Sequence, residues 1–198
     1  MQGRLLQPGV MPEFNNLKVT KKFKSNLSTI FINFGGIDKE NITELVIIAL
    51  LEISGIELKL EVLIGKNNPN IPSLKAKFSS NQNVVLHVQP PNVAEVMAMA
   101  DIAISAGGST IWELCKIAIP TLLITTAPNQ VKMAKILDAG SYVIKLGDVK
   151  TMDFDNLKTV LINLISDKNK IIKLSNKAQS LMEVPKLTIV DHIIGVDL

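Results

Sequence analysis

The sequence has few of the residue types from which disulfides and metal sites are built. Cys115 is the only cysteine among 198 residues, which excludes an internal disulfide and a cysteine cluster for zinc. His87 and His192 are the only histidines, so a histidine-based metal site is not expected either. We therefore predict no metal site, and the lack of cysteine pairs fits a reducing, cytoplasmic environment.

Aromatic residues make up only 4% of the sequence, although 47% of all residues are hydrophobic. The core is therefore predicted to consist of Val, Ile, Leu and Ala, which is typical of a parallel sheet covered by helices on both faces. A chain of 198 residues can bury such a core within one domain, or within two small ones at most.

A strong excess of one charge sign is missing as well. The 21 basic and 18 acidic residues leave a net charge of only +3, which does not indicate nucleic-acid binding. The lysine group within 21–24 is interpreted as a solvated segment. The longest apolar stretch, 45–58, is broken by Glu52 and is too short to span a bilayer. We predict a cytoplasmic protein without a membrane span, and leave peripheral recruitment to a membrane open.

Short apolar segments alternate with helical patterns along most of the chain. Strands are predicted at 28–34, 58–65, 83–89, 102–105, 121–126 and 142–147, with helices between them and after the last. This alternation predicts an α/β fold, a Rossmann-like doubly wound parallel sheet of about six strands. Residues 1–27 are interpreted as an N-terminal arm or interdomain linker, and residues 28–198 as one domain.

Glycine, hydroxyl and amide residues follow several of these strands, at the sheet edge where ligands of open α/β folds bind. Two such loops, Gly35–Gly36 and Gly107–Thr110, lead into predicted helices. Free N–H groups and the helix dipole favour a phosphate at such a place. Neither loop matches a Walker motif or G-x-G-x-x-G, so a nicotinamide cofactor is disfavoured.

Glu113 follows the second loop and allows two interpretations. The spacing of Thr110 and Glu113 fits a capping box, in which the acid reaches back to the helix start. Alternatively, the carboxylate accepts hydrogen bonds from the vicinal hydroxyls of a ribose. Trp112 and Cys115 on the same helix are interpreted as packing residues, and His87 within a strand as structural.

Three segments carry a resemblance to a known family: "FGGIDKENIT", "IGKNNP" and "ISAGGSTIWELCKIAIPTLLI" followed by an Asn-Gln pair. Together they resemble the C-terminal half of the UDP-sugar hydrolases of pseudaminic acid synthesis and the related spore-coat polysaccharide proteins. More distantly they are similar to the donor-binding half of the N-acetylglucosaminyl transferases that make lipid II. All share the two-domain GT-B architecture, and the likeness covers roughly residues 28–195.

The resemblance implies a UDP or UDP-sugar ligand, without a further cofactor, and assigns residues to its parts. The first diphosphate loop would include Gly35, Gly36 and Asp38, with Gly65 in the following loop. The second diphosphate turn would comprise Ala106, Gly107, Gly108, Ser109 and Thr110. Glu113 would bind the uridine ribose, the segment from Gln89 to Val93 the uracil, and Asn129 with Gln130 would face the sugar.

One departure from the family is large, because its N-terminal domain is absent from this sequence. The catalytic residues are expected in that domain, so the chain is interpreted as the nucleotide-binding half of an enzyme. The other half would be a separate chain or a missing domain. The resemblance favours a UDP-sugar hydrolase, and leaves two alternatives: the donor-binding half of a GT-B glycosyltransferase, or a non-catalytic UDP-sugar-binding module. Alone, the chain is expected to be inactive.

Overall fold

The computed structural model describes residues 27–183. Within them lie six strands, β1 (Thr29–Asn33), β2 (Lys59–Ile64), β3 (Val84–Val88), β4 (Ile102–Ala106), β5 (Thr121–Thr125) and β6 (Ile144–Asp148). The helices are α1 (Ile42–Leu51), α2 (Ile71–Phe78), α3 (Val93–Ala98), α4 (Thr110–Lys116), α5 (Pro128–Ala139), α6 (Phe154–Ser166) and α7 (Lys168–Glu183). A 3₁₀ turn, Val149–Thr151, follows β6.

Every predicted strand is present, with ends that differ by at most two residues from the prediction. Residues 1–26 of the predicted arm (1–27), the last residues of the predicted domain at 184–198 and His192 lie outside the described residues. Leu27, the last residue of the predicted arm, is buried in the core.

The six strands form one parallel sheet in the order β3-β2-β1-β4-β5-β6. The chain moves outward from β1 to β3, then returns to β4 on the other side of β1 and continues outward to β6. This is the Rossmann order, so the predicted fold class is confirmed. The reversal of direction places β1 beside β4 and creates the switch point of the sheet.

Helices cover both faces of the sheet, as its aliphatic strands require. On β1, Ile30 and Ile32 join one buried cluster with residues of α1, α2 and α6, because alternate side chains of a strand point to opposite faces. Phe31 joins the other cluster, with residues of α3, α4, α5 and α7. All residues of β4 and β5 are buried, which explains why their sequences are largely apolar and do not alternate with charged residues.

Among the helices of residues 27–183, none combines the length and the apolar composition needed to cross a membrane.

Candidate functional site

The switch point brings together the two glycine loops that the sequence singled out. Asn33 and Ser105 are register partners at the carboxyl ends of β1 and β4. The first loop then leads to α1 on one face of the sheet, and the second loop leads to α4 on the other face. Loops that diverge in this way leave a crevice between them, which is where open α/β sheets bind their ligands.

The first loop turns at Gly35, whose φ of 88° lies in the region that favours glycine. The N–H of Gly35 donates to Asn33 Oδ1 over 3.3 Å. Gly36 is exposed, and no heavy atom of the described residues lies within 4 Å of the position that a Cβ would take there. The backbone of Gly36 is therefore open to a close approach by a ligand.

Asp38, in the same loop, caps α1. Its Oδ1 accepts from the N–H of Ile42 at 2.9 Å, and its Oδ2 accepts from the N–H of Thr43 at 3.0 Å. Both carboxylate oxygens thus satisfy the free N–H groups of the helix start. The structure gives Asp38 a structural task, and its predicted contact with a ligand stays a prediction.

Gly65, at the end of β2, lies behind the first loop. A Cβ at Gly65 would overlap the Cα and carbonyl oxygen of Gly36 and would lie 2.8 Å from its carbonyl carbon. Asn70, from the same connection, donates its Nδ2 to the Asp38 carbonyl at 2.9 Å. The connection after β2 therefore supports the first loop from one side, and only glycine at position 65 permits that distance.

The second loop enters α4 through Ser109, which is the N-cap residue, with Thr110 as the first helical residue. Gly108 and Ser109 are exposed, whereas Ala106 is buried at the end of β4. The Thr110 hydroxyl donates to Asn33 Oδ1 over 3.4 Å. A Cβ at Gly108 would have no described heavy atom within 4 Å, so this turn is also open to a ligand.

Glu113 lies on the first turn of α4 and is only 8% exposed. A capping box joins the N-cap residue to the residue three positions later. The structure gives Ser109 as the N-cap of α4, one residue before the Thr110 of the predicted box. Both interpretations of Glu113, the capping box with Thr110 and the contact with a ribose, stay predictions.

Gln130 connects the second loop to the loop after β5. Its Oε1 accepts from the N–H of Thr126 at 2.9 Å, from the Thr126 hydroxyl at 3.2 Å and from the N–H of Gly107 at 3.3 Å. Asn129 is exposed at the start of α5. The structure places both residues at the predicted edge, and their contact with a sugar stays a prediction.

The segment from Gln89 to Val93 follows β3, the edge strand of the sheet. Gln89 is exposed and has a φ of 50°, and Asn92 caps α3 by accepting from the N–H of Glu95 at 3.1 Å. Because β3 is the second neighbour of β1, the segment starts about 10 Å from the switch point at the usual strand spacing. Its predicted contact with uracil stays a prediction.

A cavity of about 240 Å³, which the sequence did not indicate, opens at the same edge. Its lining includes Ile37, Asp38 and Lys39 of the first loop, Thr126 after β5 and Val149 after β6. The cavity therefore extends the crevice beyond β4, and its charged lining residues are Asp38, Lys39 and Glu40.

Asn33 is a site residue that sequence reasoning missed. It is only 5% exposed, and its amide contacts both glycine loops and the end of β2. The one signal in the sequence was an amide at the end of an otherwise apolar strand, directly before Gly35–Gly36.

Trp112, Cys115 and His87, which the sequence analysis interprets as packing or structural residues, lie in such positions. Trp112 and Cys115 are buried, and burial raises the pKa of the Cys115 thiol to about 12. His87 lies on β3 and its Nε2 is 2.6 Å from Glu61 Oε2 on β2. Among residues 27–183, no group of three or more His, Cys, Asp or Glu side chains is arranged to hold a metal ion.

The chain is similar to several known proteins. The chain is 23% identical over 137 residues to the spore coat polysaccharide biosynthesis protein SpsG of Bacillus subtilis, covering 69% of this chain and 40% of SpsG. MurG of Acinetobacter baumannii has a TM-score of 0.62 at 17% identity, over 85% of this chain and 47% of MurG. A TarM mutant of S. aureus, in complex with fondaparinux, α-GlcNAc-glycerol and UDP, has a TM-score of 0.65 at 9% identity. That match covers 86% of this chain and 34% of TarM.

These matches confirm the resemblance to the GT-B fold, and this chain spans less than half the length of each of the three proteins. Residues 29–188 match the glycosyltransferase family 28 C-terminal domain. Because this match includes both glycine loops and most of the sequence, the chain belongs to the family of glycosyltransferase family 28 C-terminal domains.

Proposed function

We propose that this chain is the donor-binding half of a GT-B glycosyltransferase and binds the nucleotide of a UDP-sugar. One observation carries the proposal: two open glycine turns face one crevice at the switch point and share a hydrogen-bond acceptor, Asn33 Oδ1. Bare backbone at Gly36 and Gly108 lets a diphosphate approach the chain closely from both sides.

The proposed chemistry needs a site that stabilises a leaving group. A hydroxyl oxygen of the acceptor attacks the anomeric carbon of the sugar, and the bond from that carbon to the β-phosphate oxygen breaks. The electron pair stays with UDP, and the proton of the acceptor passes to a base from the other half of the fold. We propose that backbone N–H groups at the open turns, around Gly36 and Gly108, stabilise the charge that develops on the diphosphate.

The other parts of the ligand are assigned to residues around these turns. We propose that the Glu113 carboxylate accepts hydrogen bonds from the ribose, that Gln89 to Val93 contact the uracil, and that Asn129 and Gln130 face the sugar. TarM shares this fold and is in complex with UDP, which is consistent with a nucleoside diphosphate as the ligand. The uridine base is proposed from the resemblance to the UDP-sugar enzymes. Neither loop has the dinucleotide fingerprint, which argues against a nicotinamide cofactor.

Transfer to an acceptor is favoured over release to water by the family match and by the MurG and TarM folds. Hydrolysis stays a prediction from the resemblance to the pseudaminic acid hydrolases. Both reactions need the second half of a GT-B fold, and this chain spans 47% of the length of MurG. We therefore propose that the active protein includes that half, on the same polypeptide or on a partner.

A nucleotide panel tests the proposal directly. We expect UDP to raise the melting temperature of the chain more than GDP, ADP, CMP or NAD. A ligand present at one hundred times its Kd stabilises the folded state by about 2.7 kcal/mol, which a thermal shift detects easily. A larger shift with NAD, or none with any nucleotide, would overturn the proposal.

The reaction class is tested with a UDP-sugar and a GT-B N-terminal half. Sugar transfer by the combined halves, with no turnover by the chain alone, is expected. Release of free sugar by the combined halves would favour the hydrolase. Binding of UDP without either reaction would identify a non-catalytic module.

A further inference from the structure

We propose that Asn33 is a positioning residue that fixes the two glycine turns relative to each other, and thereby sets the affinity for a diphosphate. The proposal rests on the proposed function for its ligand, and on the contacts of Asn33 for its mechanism. Nothing in the glycine-loop motifs themselves assigns a role to this residue.

The amide of Asn33 joins three separate segments of the chain. Its Nδ2 donates to the carbonyl of Leu63 on β2 at 3.0 Å. Its Oδ1 accepts from the N–H of Gly35 at 3.3 Å and from the hydroxyl of Thr110 at 3.4 Å. The Leu63 contact is the shortest and anchors the side chain, so that Oδ1 is held between the two turns.

An amide suits this place because it carries a donor and an acceptor on one carbon. The Leu63 carbonyl needs a donor, whereas Gly35 and Thr110 both need an acceptor, so these partners also fix the orientation of the amide. Aspartate would set a negative oxygen against the Leu63 carbonyl and near the proposed diphosphate. Leucine would have a similar volume but would contact neither turn by a hydrogen bond.

The neighbouring strand does not provide the same link. Ser105 is the register partner of Asn33 on β4, and it is fully buried. Its hydroxyl donates to the adjacent Ala106 carbonyl at 3.2 Å, within its own strand. Asn33 is therefore the side chain at this pair of strand ends that connects the first turn to the second.

The test compares Asn33→Leu and Asn33→Asp with a matched control, Ser175→Ala. Ser175 is also buried and donates to a backbone carbonyl, that of Ala118 at 2.7 Å, but it lies on α7 away from both turns. Affinities for UDP and for uridine are measured by calorimetry. Uridine lacks the diphosphate, so a positioning role and a general loss of stability give different results.

We expect Asn33→Leu to weaken UDP binding at least tenfold and uridine binding less than threefold. Asn33→Asp should weaken UDP binding further, because it adds a negative charge near the phosphates. The control should change neither affinity by more than about twofold. Equal losses for UDP and uridine, or an unchanged UDP affinity in a folded Asn33 variant, would overturn the proposal.

A second measurement needs no ligand, and it separates this proposal from the proposed function. Amide spectra of the free protein should show shifts at both Gly35–Gly36 and Gly108–Thr110 in each folded Asn33 variant, and at neither turn in Ser175→Ala. If the parent chain binds no UDP, the proposed function fails while these spectra still decide the role of Asn33. Shifts confined to the first turn would show that Asn33 does not couple the two turns.

Discussion

Gly65 and Gly36 are in direct backbone contact, so close that a Cβ at Gly65 would overlap the Cα and oxygen of Gly36. The first glycine turn is therefore held by the connection after β2 as well as by Asn33. A turn with support on two sides presents its N–H groups in one arrangement, which a diphosphate site requires.

We expect Gly65→Ala to lower the free energy of unfolding by about 1–3 kcal/mol, the usual cost of forcing an extra methyl group into a packed place. Because the methyl group would displace Gly36, UDP affinity should fall as well. Denaturant unfolding and calorimetry measure the two effects. A variant with parental stability and parental UDP affinity would show that the two loops separate freely.

Gly36→Ala and Gly108→Ala should lower the affinity for UDP without lowering the stability of the fold. Neither position has a φ in the region that favours glycine, and a Cβ at either would meet no described heavy atom within 4 Å. The melting temperature should therefore stay within about 2 °C of the parent, in line with the small effect of most surface substitutions. UDP affinity should fall, because the methyl groups occupy the proposed path of the diphosphate. Unchanged affinity in both variants would place the diphosphate elsewhere.

Glu113→Gln tests the proposed ribose contact. Hydrogen bonds to charged groups contribute about 1.5–3 kcal/mol, so UDP affinity should fall roughly tenfold to a hundredfold. A deoxyribose analogue should lose affinity for the parent protein but much less for the variant. The matched control is Glu95→Gln, which changes an exposed acid in the first turn of α3. Equal losses for the analogue in parent and variant would exclude the ribose contact.

Gln130→Met should destabilise the fold by about 1–3 kcal/mol, because Thr126 and Gly107 lose their shared acceptor. Gln130→Glu retains an acceptor oxygen and should keep most of the stability. Asn129→Ala, at the exposed neighbour, serves as the control and should change the free energy of unfolding by less than about 0.5 kcal/mol. A stable Gln130→Met variant would show that this contact does not hold the second loop.

The Cys115 thiol should not react with a thiol reagent at pH 8 until the protein unfolds. Burial raises its pKa from 9.0 to about 12, so the folded state disfavours the reactive thiolate. The folded state favours the neutral form of this thiol. The resulting contribution to the free energy of unfolding is therefore complete below pH 9 and is lost as the pH rises towards 12. Ser73→Cys, at an exposed position, provides a reactive control when combined with Cys115→Ala. Rapid labelling of Cys115 in the native state would contradict its burial.

Local sequence patterns were sufficient for the elements of the fold and for the two glycine turns. Buried parallel strands need apolar runs such as Ile102–Ile104, and the turns after them need glycine. Both features depend on residues that are neighbours in the sequence, so the sequence alone predicts them. The position of Gly35 directly after a strand likewise indicated the sharp turn that its φ of 88° confirms.

Only the tertiary structure decided which of these features meet. Asn33 and Thr110 are 77 residues apart, and their contact depends on the placement of β4 beside β1, which no local pattern encodes. The need for glycine at position 65 arises from Gly36 on another loop. Each of these outcomes depends on contacts between segments far apart in the chain, and such contacts are fixed by packing of the whole sheet with its helices.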